Sequence, residues 1–364
     1  MMSNISNVLF VGAFNKNTKD GSSGGQLFAC TSLIESDLKD KVNFFKLDTT
    51  AETVPAPPIY KRIPRAIYRL LKFLFILIFY KIDSILIFSS AKFSFLEKGL
   101  MVCIGYLFSK RIIFAPRSGL IIKDYEESKF MKIFIPFVIK ASTFILCQGI
   151  SWKTFYKGIS GENDSKFVII NNWIETKQYL QTRKSSTNYP IRIIFVGWLE
   201  EYKGIKDLLA ALNILAQKNI KFKCDIYGNG SLYGYSRDFI KGHKLNEIVS
   251  LKGWASKEIK MEAFRNSDIY VLPSHTEGFP NSLLEAMASQ LPIVVTRFNS
   301  VSDIVQHEFN GMVAECKDAN SLAYNIEMLI CNEALRVYIA KNAQLTVNRK
   351  FTLQNAIKKL EKLL

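Results

Sequence analysis

The stretch from Ile269 to Ala288 constrains the fold more than any other. The apolar run Ile269-Tyr270-Val271-Leu272 has the length and composition of a buried strand. Leu283-Leu284-Glu285-Ala286-Met287-Ala288 has helix character. Between them, Gly278 lets the backbone approach a ligand closely, and Pro280 ends a loop just before a helix. Strand, loop and helix in that order make the crossing unit of an α/β domain. Open parallel sheets bind ligands at such crossings, beyond the carboxyl ends of their strands. The amides of Asn281, Ser282 and Leu283 would point out of the helix N-terminus, which suits an anion such as a diphosphate. Glu277 at the loop start and Glu285 one turn into the helix both reach a small ligand that carries hydroxyl groups. A purely structural alternative stands beside this: Ser282-x-x-Glu285 has capping-box spacing, and Glu277 is then a solvated loop charge.

At 364 residues the chain is long enough for two domains with cores of their own. The net charge of +16 asks for an anionic partner, nucleic acid or an anionic membrane surface. The charge is uneven. Residues 1–188 hold 26 Lys and Arg against 14 Asp and Glu, a net +12, so the partner of the excess meets the N-terminal half. No nucleic-acid module or interleaved aromatic-basic repeat is present, which argues against nucleic acid. Cys30, Cys103, Cys147, Cys224, Cys316 and Cys331 are scattered, with no C-x-x-C pair, so no metal site is expected and the thiols fit a cytoplasmic protein. Residues 1–7 have no basic region leading an apolar stretch, so no signal peptide is expected.

The chain alternates strand-length apolar runs with helical stretches. Val8 to Val11 reads as a first buried strand. The glycine-rich Gly21-Ser22-Ser23-Gly24-Gly25 follows, then a helix over Gln26–Leu38. Ile59 to Arg69 is basic, and Phe73 to Tyr80 is wholly apolar. Eight residues are too few to span a bilayer, which takes about 20. The segment is either a buried helix or an amphipathic helix on anionic lipid, and the two are compatible if one face is buried. The strand Ile112–Ala115 ends in Pro116-Arg117-Ser118-Gly119, where Arg117 is placed to bind an acidic acceptor or a phosphate. Residues 181–190 are polar and aperiodic and make the best linker. Ile191 to Val196 restarts the alternation, and Residues 318–364 read as several helices.

The string Glu277-Gly278-Phe279-Pro280-Asn281-Ser282-Leu283-Leu284-Glu285 lies between Leu272-Pro273-Ser274 and Pro292-Ile293-Val294. It resembles the E-x7-E signature of retaining glycosyltransferases of the GT-B fold, in particular glycosyltransferase family 4 (group 1). The resemblance implies an α/β protein of two Rossmann-like doubly wound domains facing a cleft. Residues 1–184 would bind the acceptor and 185–350 the nucleotide sugar, with a helix over 351–364 returning to the first domain. Gly197-Trp198-Leu199 and Lys203-Gly204 resemble the family's Gly-Arg-Leu…Lys-Gly element, whose arginine and lysine hold the donor diphosphate. Lys203 matches; Trp198 stands where arginine is usual. Gly228-Asn229-Gly230 resembles a glycine-rich element close to the nucleotide, and backbone groups at Gly253 and Trp254 would meet the base. Asn171-Asn172-Trp173-Ile174 resembles an element near the domain boundary, and a Gly-Gly pair at Gly24 and Gly25 faces the cleft.

On this resemblance Glu277, with the amides of Gly278 and Phe279, holds the transferred sugar. Lys203 with the amides of Ser282 and Leu283 takes the diphosphate, and Glu285 takes the ribose. Glu277 and Lys203 are the catalytic pair. No Asp-x-Asp motif lies near these elements, which fits a reaction without metal or cofactor, the UDP- or GDP-sugar being a substrate. The acceptor is a saccharide, lipid-linked, in surface polysaccharide biosynthesis on the cytoplasmic side. The alternatives are a nucleotide-sugar 2-epimerase of the same fold, which needs no acceptor, and an inactive partner subunit, which the Trp198 departure leaves open.

Overall fold

A computed structural model of the chain describes residues 5–15, 25–51, 57–179 and 189–364. The chain divides into two compact units, Met1–Asn172 with Leu353–Leu364, and Trp173–Thr352. The division falls inside the Asn171–Ile174 string rather than at the expected 184/185. The reason is packing. Trp173, Ile174 and Tyr179 are buried, and the Ile174 N–H donates to the Phe351 carbonyl at 3.0 Å. The segment after Asn172 therefore belongs to the core of the second unit. Residues 181–188 of the expected linker lie outside the described residues.

In the first unit the elements run β1 (Ser6–Gly12), α1 (Gly25–Glu35), β2 (Val42–Asp48), α2 (Ile59–Phe79), β3 (Ser84–Ser89), α3 (Phe93–Leu107), β4 (Arg111–Pro116), α4 (Leu120–Glu127), α5 (Lys129–Ala141), β5 (Phe144–Cys147), α6 (Ile150–Ser160) and β6 (Phe167–Ile169). The strands form one parallel sheet in the order β2-β1-β3-β4-β5-β6. Side chains alternate between its faces, as the pleat requires. Leu9, Val11, Ile85, Ile87, Ile112 and Phe114 share one face with Phe73 of α2, Phe95 and Val102 of α3 and Val138 of α5. The first helix ends at Glu35, and a 3-10 turn over Asp37–Asp40 follows where a longer helix was expected. Ser36 caps that turn, its hydroxyl accepting from the Leu38 N–H at 3.3 Å.

In the second unit the order is β7 (Ile191–Val196), α7 (Ile205–Gln217), β8 (Phe222–Tyr227), α8 (Tyr233–Gly242), β9 (Val249–Gly253), α9 (Lys257–Arg265), β10 (Ile269–Leu272), α10 (Asn281–Ala288), β11 (Ile293–Thr296), β12 (Met312–Ala314), α11 (Ala319–Cys331) and α12 (Glu333–Lys350). The last helix, α13 (Leu353–Leu360), groups with the first unit. The second sheet is parallel in the order β12-β11-β10-β7-β8-β9. Ile193 and Phe195 face α7 and α11, while Ile194 faces the other side with Tyr270, Leu272 and α10. From β7 the chain winds outward through β8 and β9. It then returns to β10, on the other side of β7. The order reverses between β7 and β10, so the loops after these two strands open at the topological switch point.

Candidate active site

Both loops at the switch point contribute to one cluster. The loop after β7 ends in a 3-10 turn over Glu201–Lys203, then Gly204 at φ +67°, where α7 begins. A Cβ at Gly204 would lie 1.9 Å from the Pro273 carbonyl oxygen, so only glycine lets this loop rest on the loop after β10. That contact sets Lys203 beside Glu277. The Lys203 Nζ lies 2.6 Å from Glu277 Oε1, and the Ser274 hydroxyl donates to the same oxygen at 2.7 Å. The Glu277 side chain is 9% exposed and that of Lys203 16%. The end of β11 and the loop after it hold this loop in place. The Glu277 N–H donates to Asn299 at 3.3 Å, Thr296 Oγ1 to the Ser274 carbonyl at 2.5 Å, and Ser300 Oγ to the Gly278 carbonyl at 3.0 Å. His275 does not bond within its own loop. Its Nε2 is 2.6 Å from Asp207 Oδ2, which ties the loop to α7.

The capping-box alternative is not realised. Pro280 is the N-cap of α10 and supplies no side-chain acceptor. The Ser282 hydroxyl instead accepts from the Tyr270 hydroxyl at 2.8 Å, and burial holds that phenol well above its ordinary pKa. Glu285 lies 2.7 Å from the Lys260 Nζ through Oε1 and 2.6 Å through Oε2, the lysine reaching in from α9. The Tyr179 hydroxyl also bonds to Glu285; burial first, and then this carboxylate, raise its pKa. Phe279 is buried and meets Phe351 edge-on at 5.4 Å. Its side chain therefore belongs to the core, and only its backbone is placed to serve the site.

The loops after β7, β8 and β9 are bound together by backbone. A Cβ at Gly228 would sit 1.8 Å from the Gly197 carbonyl oxygen, and the Gly228 N–H donates to the Gly253 carbonyl at 2.7 Å. Gly228 thus serves the packing of these loops, and its amide is engaged. Trp198, standing where the resembled family has arginine, packs on Trp254 with ring centroids 4.6 Å apart. Trp254 is 43% exposed and presents an indole to solvent at the end of β9.

In the first unit, Gly24 lies outside the described residues, and Gly25 is exposed at the start of α1. Arg117 packs over the Phe88 ring at 4.8 Å and donates to Asn172, which also accepts from Gln148 at 2.7 Å. Desolvation pushes the Arg117 guanidinium down to about 10. Asp48 anchors the loop after β1, accepting from the Phe14 N–H at 3.0 Å and from Asn15 at 2.7 Å. Burial raises its pKa, but these bonds and those from Thr50 outweigh it and hold the carboxyl below its usual range.

Reading along the sequence therefore found Glu277, Lys203, Ser282 and Glu285, which the second unit brings to one end of its sheet. It missed the partners Ser274, Asn299, Tyr270, Lys260 and Tyr179. Only Ser274 carried a signal, as part of Leu272-Pro273-Ser274.

Residues 180–346 match the family model of the Glycosyl transferases group 1. An amylovoran biosynthesis glycosyltransferase of Erwinia amylovora is 30% identical over 205 residues, 55% of this chain and 50% of that protein. A capsular polysaccharide biosynthesis glycosyltransferase of Staphylococcus aureus is 28% identical over 204 residues, 56% of this chain and 52% of that protein. The chain spans about half the length of these curated relatives. Among solved structures, Anabaena HepE in complex with UDP and glucose superposes with a TM-score of 0.73 at 14% identity, over 98% of both chains. The chain thus has the two-domain α/β fold of GT-B glycosyltransferases and carries a group 1 glycosyl transferase domain over residues 180–346.

Proposed function

We propose that the chain is a retaining glycosyltransferase of family 4 that moves a sugar from a UDP- or GDP-sugar to a saccharide acceptor in surface polysaccharide biosynthesis. The observation that carries the reading is the Lys203–Glu277–Ser274 cluster at the switch point of the second sheet, with Glu285 one turn into the adjoining helix. The polysaccharide relatives and the UDP complex of a structural neighbour support the substrate classes.

In this reading the diphosphate lies between Lys203 and the start of α10. Pro280, the N-cap residue there, contributes no side-chain acceptor, and the helix dipole favours negative charge. Glu285 accepts from the ribose hydroxyls and Glu277 from hydroxyls of the transferred sugar. The exposed indole of Trp254 stacks with the base, backed by Trp198. As the glycosidic bond breaks, charge grows on the departing diphosphate oxygen, and fixed donors there stabilise the transition state. The acceptor hydroxyl attacks the same face, its proton passing to that oxygen. Charge neutralisation is assigned to Lys203 and backbone amides, with no metal or cofactor. The first unit takes the acceptor, a lipid-linked saccharide, near Gly24, Gly25 and Arg117, and the enzyme works on the cytoplasmic side, peripheral to the membrane.

Calorimetric titration with UDP, GDP and their sugars tests this, alongside Glu285→Ala. One nucleotide should bind, and the variant should lose that binding while circular dichroism shows it folded; its unfolding temperature should fall, because Lys260 loses its counter-charge. If no nucleotide or nucleotide sugar binds, the transferase reading fails. Binding without turnover on any saccharide acceptor would instead favour the epimerase or inactive-subunit readings.

A further inference from the structure

Helix α2 has two apolar faces, and the fold uses one of them. Ala66, Phe73, Ile76 and Leu77 are buried against the first sheet and α3. Tyr60, Ile63, Ile67, Leu71, Phe75 and Ile78 recur at three- and four-residue spacing, so they form a second stripe along the helix. All six are exposed, from 45% at Ile63 to 67% at Tyr60. The stripe runs for about 27 Å at 1.5 Å per residue. Exposed apolar surface of this extent marks an interaction site.

The flanks of the stripe identify the occupant. Helix α2 contains Lys61, Arg62, Arg65, Arg69 and Lys72 and no acidic residue. Arg69 turns inward to Glu97 at 2.5 Å, and Arg62 lies over the Phe93 ring at 4.4 Å. Lys61 and Lys72 are exposed along one edge of the stripe, and Lys81 follows just beyond the helix. Adjacent helices continue the pattern: α3 packs on both α2 and α5. On α5, Phe130, Ile133 and Phe137 form another exposed stripe, with Lys129, Lys132 and Lys140 beside it.

A long apolar stripe with cations along one edge matches the boundary between anionic headgroups and acyl chains. The apolar side chains enter the acyl layer, and the lysines reach up to the phosphates. Among the described residues no helix is long and apolar enough to cross a membrane, so this surface lies on the bilayer. We propose that the outward face of α2, extended by α5, docks the protein on an anionic lipid surface. The proposal deepens the peripheral placement above and rests on that reading only for the acceptor that the membrane would present.

The test is sedimentation of the full chain with phosphatidylcholine vesicles, with and without phosphatidylglycerol, at low and high salt. Two double variants accompany it, Leu71→Glu with Phe75→Glu, and Lys61→Gln with Lys72→Gln. All four positions are exposed, so unfolding temperature should be unchanged, and circular dichroism checks that. The wild-type chain should bind the anionic vesicles only, and less at high salt. The lysine variant should bind about 25-fold more weakly, at roughly fivefold per charge. The stripe variant should lose binding. No binding to either vesicle, equal binding to both, or anionic binding that neither variant weakens overturns the proposal. So does a chain that self-associates through the stripe and ignores vesicles, which would make the occupant a second copy. Titration of the same samples with UDP, GDP and their sugars separates the two claims: vesicle binding without binding of any of these removes the transferase reading, and the reverse removes only the docking surface.

Discussion

Replacing Lys203 by methionine isolates the charge at the centre of the second unit. Methionine keeps the length and apolar stem of the side chain and removes the ammonium 2.6 Å from Glu277. The Glu277 side chain, 9% exposed, then keeps the Ser274 hydroxyl but has no counter-charge. Removing one partner of a buried ion pair costs about 3–5 kcal/mol because the other charge is stranded. At about 2–4 °C per kcal/mol for a unit of this size, the unfolding temperature should fall by about 10 °C near pH 8.

Differential scanning calorimetry at about pH 8 reads the loss directly, and no loss there would refute the pairing as the source of stability. Lys203→Met combined with Glu277→Gln removes the stranded charge as well, so the double variant should be less destabilised than Lys203→Met alone. Ser274→Ala should cost less than Lys203→Met, since it removes a neutral donor.

Two further perturbations follow from single contacts. Gly204 and Gly161 share a left-handed backbone, at φ +67° and +70°, but a Cβ at Gly204 meets the Pro273 oxygen at 1.9 Å and one at Gly161 meets nothing. Gly161→Ala should cost only the conformational penalty of about 1–2 kcal/mol, whereas Gly204→Ala should cost more and also weaken nucleotide binding; equal losses in denaturant unfolding would refute the contact argument. In the first unit Glu97, 3% exposed, sits 2.5 Å from Arg69 and 3.2 Å from Lys98. Burial raises its pKa, but these two cations outweigh it and hold the carboxyl below its usual range, so its contribution is present above about pH 4.3 and is lost as pH falls through the depressed folded value. Glu97→Gln strands the buried Lys98, whose pKa desolvation already lowers, at a cost of about 3–5 kcal/mol at pH 7. That deficit should shrink as pH climbs toward about 10.4, the unfolded lysine value, and thermal unfolding at a series of pH values checks it.

The sequence was most legible where one short segment carries both structure and chemistry. Strand β10, its loop and α10 are contiguous, so Glu277, Ser282 and Glu285 could be placed from local pattern alone. Lys203 was legible through the Lys-Gly pair, because Gly204 answers a backbone requirement. Lys260 and Tyr179 were not, since nothing local distinguishes a lysine four residues after a helix cap from a solvated one. The fold brings them to Glu285 from 25 and 106 positions away. Strand β2 was not read either; its exposed Asn43 and Lys46 lie on the edge strand of the sheet and dilute the apolar run. Helix α2 was read as a basic piece and an apolar piece, because its two apolar stripes overlap in sequence and separate only when wound at 3.6 residues per turn.

The tertiary partners change how the site's charge must work. Each carboxylate of the signature is matched by one lysine, Lys203 on Glu277 and Lys260 on Glu285, and Trp198 adds an indole where a third cation was expected. The cluster is thus close to neutral before any ligand arrives, and a bare diphosphate would meet cations already paired. On the proposed reading, sugar and ribose hydroxyls donate to Glu277 and Glu285, and in doing so relieve the two lysines for the phosphates. Recognition of the hydroxyls and of the charge is then one coupled event. On that reading the site would take a whole nucleotide sugar more readily than its parts.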